Sequence, residues 1–479
     1  MKKALQIFIL FAFLGLNAQV QDTVSVNFKK TIKKNINKGI ASANLCWLTD
    51  SDLKQPNNTQ SMVDAIKEMG SGSLRFPYGH LADNYLWHTP PFNDTAQGLR
   101  PKVATMLQAP GIWDWAVNKD GSFKAAMDFD EYMQLCKKLN IKPLVVVNVF
   151  SFKYKGGPTF KQLVESAVAW VKYAKKKNYH VEYWQIGNEV DHHPDVLTRD
   201  EYVACYQEIA SAMKAVDASI KIGPGTLSSV GYFNQVVAKY PKLIDFASAH
   251  QYMWSYKDSL TSYTIWKEHA DHYIPNILKM QKAVANSVKP NMEIVITETG
   301  VTPDKGMGSV NNMHKALWYF DVLMNQVSLP NVAYSYFWGT HSPWGGNKDN
   351  DKNDLGVLFR VDDNSRKPIA EVIKLVNEHV LDNMVATTQF SGYIRTFASS
   401  SNNGDKLAVF LMNKNDEAQK VVLKLSALPG DIKALNRLEY KGESAESKTI
   451  KIITSESVSI NDNYIELTLA PLSITVLEN

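Results

Sequence analysis

The run Val181-Glu182-Tyr183-Trp184-Gln185-Ile186-Gly187-Asn188-Glu189-Val190-Asp191 carries a chemical signal. It begins with the β-branched and aromatic composition of a strand and breaks at Gly187. Asn188 and Glu189 then stand where the strand runs out. A carboxyl group placed there can protonate a leaving oxygen, and an amide beside it can hydrogen-bond a neighbouring hydroxyl. That is acid/base chemistry suited to a sugar, although the same pair could simply cap a strand end. Further on, the apolar run Glu293 to Thr297 ends in Glu298-Thr299-Gly300, a second carboxylate after a second strand. Paired carboxyl groups across one bond are what glycoside hydrolysis requires.

The elements that must position these residues follow a strand–helix rhythm. Strands are predicted at Gly39–Leu45, Ser73–Phe76, Pro143–Val149, Val181–Gly187, Ser219–Gly223, Phe246–His250, Glu293–Thr297 and Val332–Phe337. Helices are predicted between them, among others at Phe129–Leu139, Leu163–Lys176, Arg199–Val216 and Met313–Gln326, with Ile369–Glu378 closing the series. Eight alternating units predict an α/β fold, a parallel (β/α)₈ TIM barrel over residues 39–380. An open doubly wound sheet is the alternative, but no Gly-rich phosphate loop follows any early strand. From residue 381 to 479 the pattern changes to short alternating strands such as Lys406–Leu411 and Tyr464–Leu469, which predict a C-terminal antiparallel β-sandwich domain. Residues 19–38 contain an alternating strand, Thr23–Phe28, that could join that sandwich.

Composition bounds the partners. A net charge of +4 over 479 residues is too small to suggest nucleic acid. Eleven Trp and twenty-one Tyr supply flat rings of the kind that line sugar clefts, though most such rings are core in any protein. Lys2 and Lys3 precede the apolar run Ala4–Leu16, so residues 1–18 read as a signal peptide and a secreted or periplasmic location is expected, without a membrane anchor. Cys46, Cys136 and Cys205 have neither metal nor redox spacing and read as small buried hydrophobes.

In such a barrel the site lies at the carboxyl ends of the strands. The second strand ends in Arg75-Phe76-Pro77-Tyr78-Gly79-His80, the third near Asn148, the fourth at Asn188-Glu189. The sixth ends in His250-Gln251-Tyr252, the seventh at Glu298, the eighth at Phe337-Trp338. This arrangement resembles the clan-A glycoside hydrolases, most of all the family 51 α-L-arabinofuranosidases, and is similar also to families 39, 79 and 86. Three stretches carry the resemblance: Leu74–Trp87, Tyr183–Asp191 with the helix up to Ile220, and the closing strand Ala470–Leu477.

The resemblance implies a retaining enzyme with Glu189 as general acid/base and Glu298 as nucleophile. It implies that Asn188 bonds the sugar 2-hydroxyl, Arg75 and Tyr252 hold Glu298, Trp338 floors the cleft and Trp87 walls it, with Asn148 and His250 as further substrate contacts. It implies a raised carboxyl pKa at Glu189. Tyr78 replaces the first Gly of the family's Pro-Gly-Gly turn, and Thr297-Glu298-Thr299-Gly300 differs from the Asp-Glu-Trp of many members. Agarase, porphyranase or uronidase activity therefore stays open, as does a non-catalytic carbohydrate-binding protein. The substrate is expected to be a plant or algal saccharide, with no cofactor. A metal site is not expected: His192 and His193 are adjacent, a poor spacing for one ion, and the Asp349-Asp351-Asn353 loop has Asp354 where a calcium loop wants Gly.

Overall fold

The computed structural model describes residues 22–54, 60–87, 126–154, 157–226, 228–253, 262–269, 274–301, 311–342, 355–359, 364–388, 390–428 and 430–479. The leader at 1–18, Trp113, Trp115, Trp344 and the loop from Asp349 to Asp354 lie outside them.

The first strand, β1 (Asp22–Lys33), is followed by the barrel strands β2 (Ala41–Ala43), β3 (Ser73–Phe76), β4 (Lys142–Val147) and β5 (Tyr183–Ile186). The barrel continues with β6 (Lys221–Pro224), β7 (Phe246–Met253), β8 (Glu293–Val301) and β9 (Val332–Phe337). All pair in parallel, in two arcs ordered β3-β4-β5-β6 and β2-β9-β8-β7. The arcs meet through the Asn44–Arg75 bridge on one side and a 2.7 Å bond from Asp245 N–H to the Ile222 carbonyl on the other. Eight strands enclose a space that side chains just fill. Here Leu144, Val146, Tyr183, Phe246, Val295, Tyr334 and Tyr336 fill it. Gly223 is needed for that packing, because a Cβ there would lie 2.5 Å from the Phe246 ring.

Helices cover the barrel because their apolar faces have nowhere else to go. Their starts are written locally. Asp128 caps Phe129–Leu139, and Thr159 with Gln162 and Thr198 with Glu201 form capping boxes on Phe160–Lys176 and Arg199–Val216. The strand register slips between Ala249 and His250 in β7 and between Ile296 and Thr299 in β8. Such bulges turn side chains toward a barrel's rim. They fall at the residues that the sequence marks as chemical.

After the helix Pro368–His379 come β10 (Asn383–Thr387), β11 (Phe390–Ser391), β12 (Ile394–Ser400), β13 (Leu407–Asn413) and β14 (Gln419–Ser426). Then follow β15 (Ala434–Lys441), β16 (Lys451–Ser459), β17 (Tyr464–Leu469) and β18 (Ser473–Glu478). With β1 these strands form a ten-stranded sheet ordered β16-β15-β18-β13-β12-β10-β1-β14-β17, β11 pairing to the side. The sheet folds over a core that includes Val24, Val26, Val409, Leu411, Val421, Leu423 and Leu467, giving a β-sandwich beside the TIM barrel.

Polar ties hold the two together. Arg395 on β12 reaches the Asp321 carboxylate at 3.5 Å and the His269 carbonyl at 3.1 Å. Lys414, just after β13, donates to the carbonyls of Trp266 and His269 and is 2% exposed. Burial, with Arg395 adding to it, pulls the Lys414 amine down to about 7. A folded-state pKa below the unfolded value means that the unfolded chain binds the extra proton between about pH 7 and 10.5. Stability from this group is therefore lost below that window and gained as pH rises through it. The unfolding free energy of wild type relative to Lys414→Met is expected to grow between pH 7.5 and 9.5 by up to about 1.4 kcal/mol per pH unit. Urea midpoints at the two pH values measure this, and parallel midpoints would remove Lys414 from the account.

Candidate active site

Arg75, on β3, is wholly buried, and all three nitrogens of its guanidinium donate. Nε donates to the Gln185 amide oxygen at 3.0 Å, and Nη2 to the Asn188 amide oxygen at 2.6 Å. Nη1 donates to Asn44 at 2.7 Å and to Glu298 Oε1 at 3.1 Å. Asn44 in turn donates to the carbonyls of Thr297 and Phe337. One cation thus fixes the ends of β2, β5 and β8 against β3. Gln185 and Asn44 are functional residues that sequence reasoning did not single out. Their signal was parity, since Gln185 is the inward-facing polar residue inside a strand otherwise hydrophobic.

The two carboxylates come from differently shaped chain. At the end of β5, Gly187 (φ 77°) and Glu189 (φ 45°) adopt left-handed conformations around Asn188. A Cβ on Gly187 would lie 2.7 Å from Val149 and Val190 side-chain carbons, so glycine is required where the strand turns outward. Glu298 projects from the bulge in β8 and is 3% exposed. Tyr252 O–H donates to its Oε2. Burial and the nearby Glu298 charge hold the Tyr252 phenol well above its usual range, so it stays a donor. One oxygen of Glu189 and one of Glu298 lie within 4.8 Å of each other, with His250 between. His250 Nδ1 is 2.7 Å from Glu189 Oε1 and 3.7 Å from Glu298 Oε2, and Nε2 is 2.9 Å from Thr297 Oγ1. The Asn188 Nδ2 group has no acceptor among the described residues, which leaves two donors beside the carboxylates.

Around Glu189 the structure corrects the protonation expected from sequence. Burial pushes this carboxyl up, but His80, His192 and His250 override it and hold Glu189 well below its ordinary value. His80 Nε2 lies 2.9 Å from Oε2, and His192 Nδ1 lies 3.5 Å from it. Burial pulls His80 down, yet the Glu189 charge carries it to about 9. The three imidazoles therefore favour the ionised form of Glu189. Neither His80 nor His192 was assigned to the site from sequence. His80 sits on the turn after β3, and nothing in its own stretch reports a partner more than a hundred residues away. Asp83, one helical turn beyond, is raised well above the usual range by burial, against the pull of His80.

Two other assignments are corrected. Trp87 does not wall the cleft. It is 3% exposed, stacks on Trp170 at 5.6 Å and donates to the Ser166 carbonyl, so it packs between helices and the barrel. Asn148 does not face a substrate either. Its Nδ2 donates to the carbonyls of Asp83 and Tyr85, and its Oδ1 accepts from the Phe150 and Ser151 amides, so it staples two rim loops. Trp338 is half-buried at the end of β9, edge-on to Tyr78 at 5.3 Å. Tyr78 keeps a left-handed φ of 110° and donates to the His341 carbonyl at 3.3 Å, filling volume that glycine would leave open.

With this geometry in hand, comparison with known proteins is informative. The α-L-arabinofuranosidase 1 domain family matches residues 65–271, which carry Arg75, His80 and Glu189. An intracellular exo-α-(1→5)-L-arabinofuranosidase of Acetivibrio thermocellus is 22% identical over 260 residues, covering 47% of this chain and 46% of that protein. A probable α-L-arabinofuranosidase C of Aspergillus fumigatus is 23% identical over 338 residues, covering 61% and 59%. The chain thus spans about half the length of these relatives. In three dimensions it overlays on a family 51 α-L-arabinofuranosidase from Thermotoga petrophila with a TM-score of 0.70 at 18% identity, over 95% of this chain and 99% of that one. A family 44 xyloglucanase from Paenibacillus polymyxa overlays with a TM-score of 0.64 at 13% identity, over 96% and 99%. The overlays show that the chain shares the barrel-and-sandwich fold of these enzymes. Its sequence similarity runs to α-L-arabinofuranosidases.

Gly79 supplies a test of the site's tightness. A Cβ there would lie 2.6 Å from Glu298 Oε1 and 3.7 Å from Asn188 Nδ2. Gly79→Ala must push the Glu298 carboxylate aside, and a displacement near 1 Å costs about 100-fold in rate. A kcat/KM on an aryl glycoside reduced by at least about that factor is the expected result. Unchanged kinetics would mean that Glu298 is not the group that must be held there.

Proposed function

We propose that this protein is a retaining glycoside hydrolase that releases α-L-arabinofuranosyl units from a plant or algal saccharide. One observation carries the mechanism: carboxylate oxygens of Glu189 and Glu298 within 4.8 Å of each other. Retention needs carboxyl groups about 5–5.5 Å apart, whereas inversion needs about 6.5–9.5 Å to admit a water. Glu298, anchored by Arg75 and Tyr252, attacks the anomeric carbon as the aglycone bond breaks. Glu189 protonates the departing oxygen, and its proton is one hydrogen bond away on His80. Glu189 then deprotonates the water that releases the glycosyl-enzyme. Asn188 Nδ2 is placed to bond the sugar hydroxyl next to the anomeric carbon. The sugar itself is inferred from the names of the relatives.

Azide rescue separates the two roles. On 4-nitrophenyl α-L-arabinofuranoside, Glu189→Ala is expected to keep slow glycosylation, because a good leaving group needs no acid. Added azide should restore turnover with retained configuration. Glu298→Ala with azide should give an inverted product instead. Exchanged stereochemistry would exchange the roles, and undiminished activity in both variants would overturn the proposal.

We further infer that the chain is exported. Lys2 and Lys3 followed by the apolar run Ala4–Leu16 support this. Intact mass of the protein from a secreting host should begin at about Gln19, and a mass that retains Met1 would sink the inference.

A further inference from the structure

Beside Glu189 lies a cluster with a capacity that the hydrolytic steps do not draw on. His192 and His193 end the short turn after Glu189, and His80 opens the turn after β3. Adjacent histidines normally diverge, yet here their rings stack at 5.0 Å and 28°. His80 meets His193 at 5.4 Å and His192 at 6.1 Å between ring centroids. One nitrogen from each of the three rings lies within 4.8 Å of the other two. The His80 side chain is 36% exposed and that of His192 53%, so both can rotate and an ion can reach them.

We propose that His80, His192 and His193 form a binding site for a borderline divalent transition metal of the Zn²⁺ class at the mouth of the cleft, and that an ion there shuts the enzyme off. Three imidazoles select zinc, copper or nickel over calcium and magnesium, which want oxygen ligands. Zinc holds imidazole nitrogens at about 2.0–2.1 Å in a tetrahedron, a contraction that small side-chain rotations supply from the observed spacing. Glu189 Oε2, 2.9 Å from the His80 nitrogen and 3.5 Å from that of His192, borders the open fourth position. A dication held there takes that oxygen as its fourth ligand and occupies the path of the leaving group. The inhibitory half rests on the glycosidase reading, whereas the binding half stands on the three histidines alone.

The test titrates Zn²⁺ into the chelator-treated protein against a chromophoric competitor. One equivalent should bind at micromolar concentration, and Co²⁺ in its place should give the visible absorption of a tetrahedral site. His193→Ala and His192→Ala should each weaken binding at least about tenfold, with Mg²⁺ and Ca²⁺ silent. The Zn²⁺ concentration that halves aryl-glycoside turnover should rise by the same factor in His193→Ala. Zinc affinity unchanged in the doubly substituted protein would overturn the site. Full occupancy through these histidines with undiminished turnover would overturn its inhibitory role. A protein that binds zinc there yet hydrolyses no glycoside would support the site and refute the glycosidase reading, so the two failures are distinct.

Discussion

The buried guanidinium of Arg75 is the constraint on which the rest of the cleft depends. A charge taken fully out of water is costly, and it persists only where hydrogen bonds and an opposite charge compensate it. Asn44, Gln185, Asn188 and Glu298 supply these from three other strand ends, meeting each of its three nitrogens. The same contacts that make burial tolerable therefore set the separation of the strand ends. Removing any one acceptor leaves an uncompensated donor at the centre of the barrel, which is why the geometry of Glu298 and Asn188 cannot drift independently. Beneath this layer the aromatic and aliphatic plug around Phe246 and Tyr336 keeps the strands at fixed spacing, with the Tyr336 hydroxyl met by Ser73 and that of Tyr183 by Glu293.

The carboxylates differ because their surroundings differ. Glu298 is gripped by one cation and one phenol on rigid strand ends. Glu189 sits on a left-handed turn among imidazoles, two of them on rim loops and partly exposed. The guanidinium beside Glu298 cannot lose its charge at any working pH. The imidazoles beside Glu189 can. On the proposed mechanism, that difference is the asymmetry double displacement draws on.

Much of this was legible in the sequence, and the failures have physical reasons. Strand-end polar residues such as Arg75, Glu189, Tyr252 and Glu298 could be placed because a parallel barrel puts every strand's carboxyl end on one rim. Trp87 was misread because ring chemistry is the same in a cleft and between helices, and only packing against Trp170 decides. Asn148 stands at a strand end like the residues gathered around Arg75, but its hydrogen bonds are spent on the Asp83 and Tyr85 carbonyls. The charge state of Glu189 was unreadable because it depends on distances to His80 and His250, which lie far away in sequence. Asn44 and Gln185 were missed for the opposite reason: a polar residue inside a strand looks like an exception until the cation it serves is seen.

The place of β1 in the sandwich bears on how the chain is made. It lies between β10 and β14, with Val26 opposite Thr387 and Asp22 opposite Val421. The strand synthesised first is thus the joint that connects the β14–β17 pair to the rest of the sheet. During vectorial synthesis the barrel segments all emerge before β1 meets either neighbour. Contacts so distant along the chain form late and slowly. An unpaired strand held waiting that long is a template for wrong pairing, and Lys29 and Lys30 within it and Lys34 just after it are charges that discourage such pairing. A chain delivered whole before it folds would meet no such delay, since both ends of the seam would be present at once.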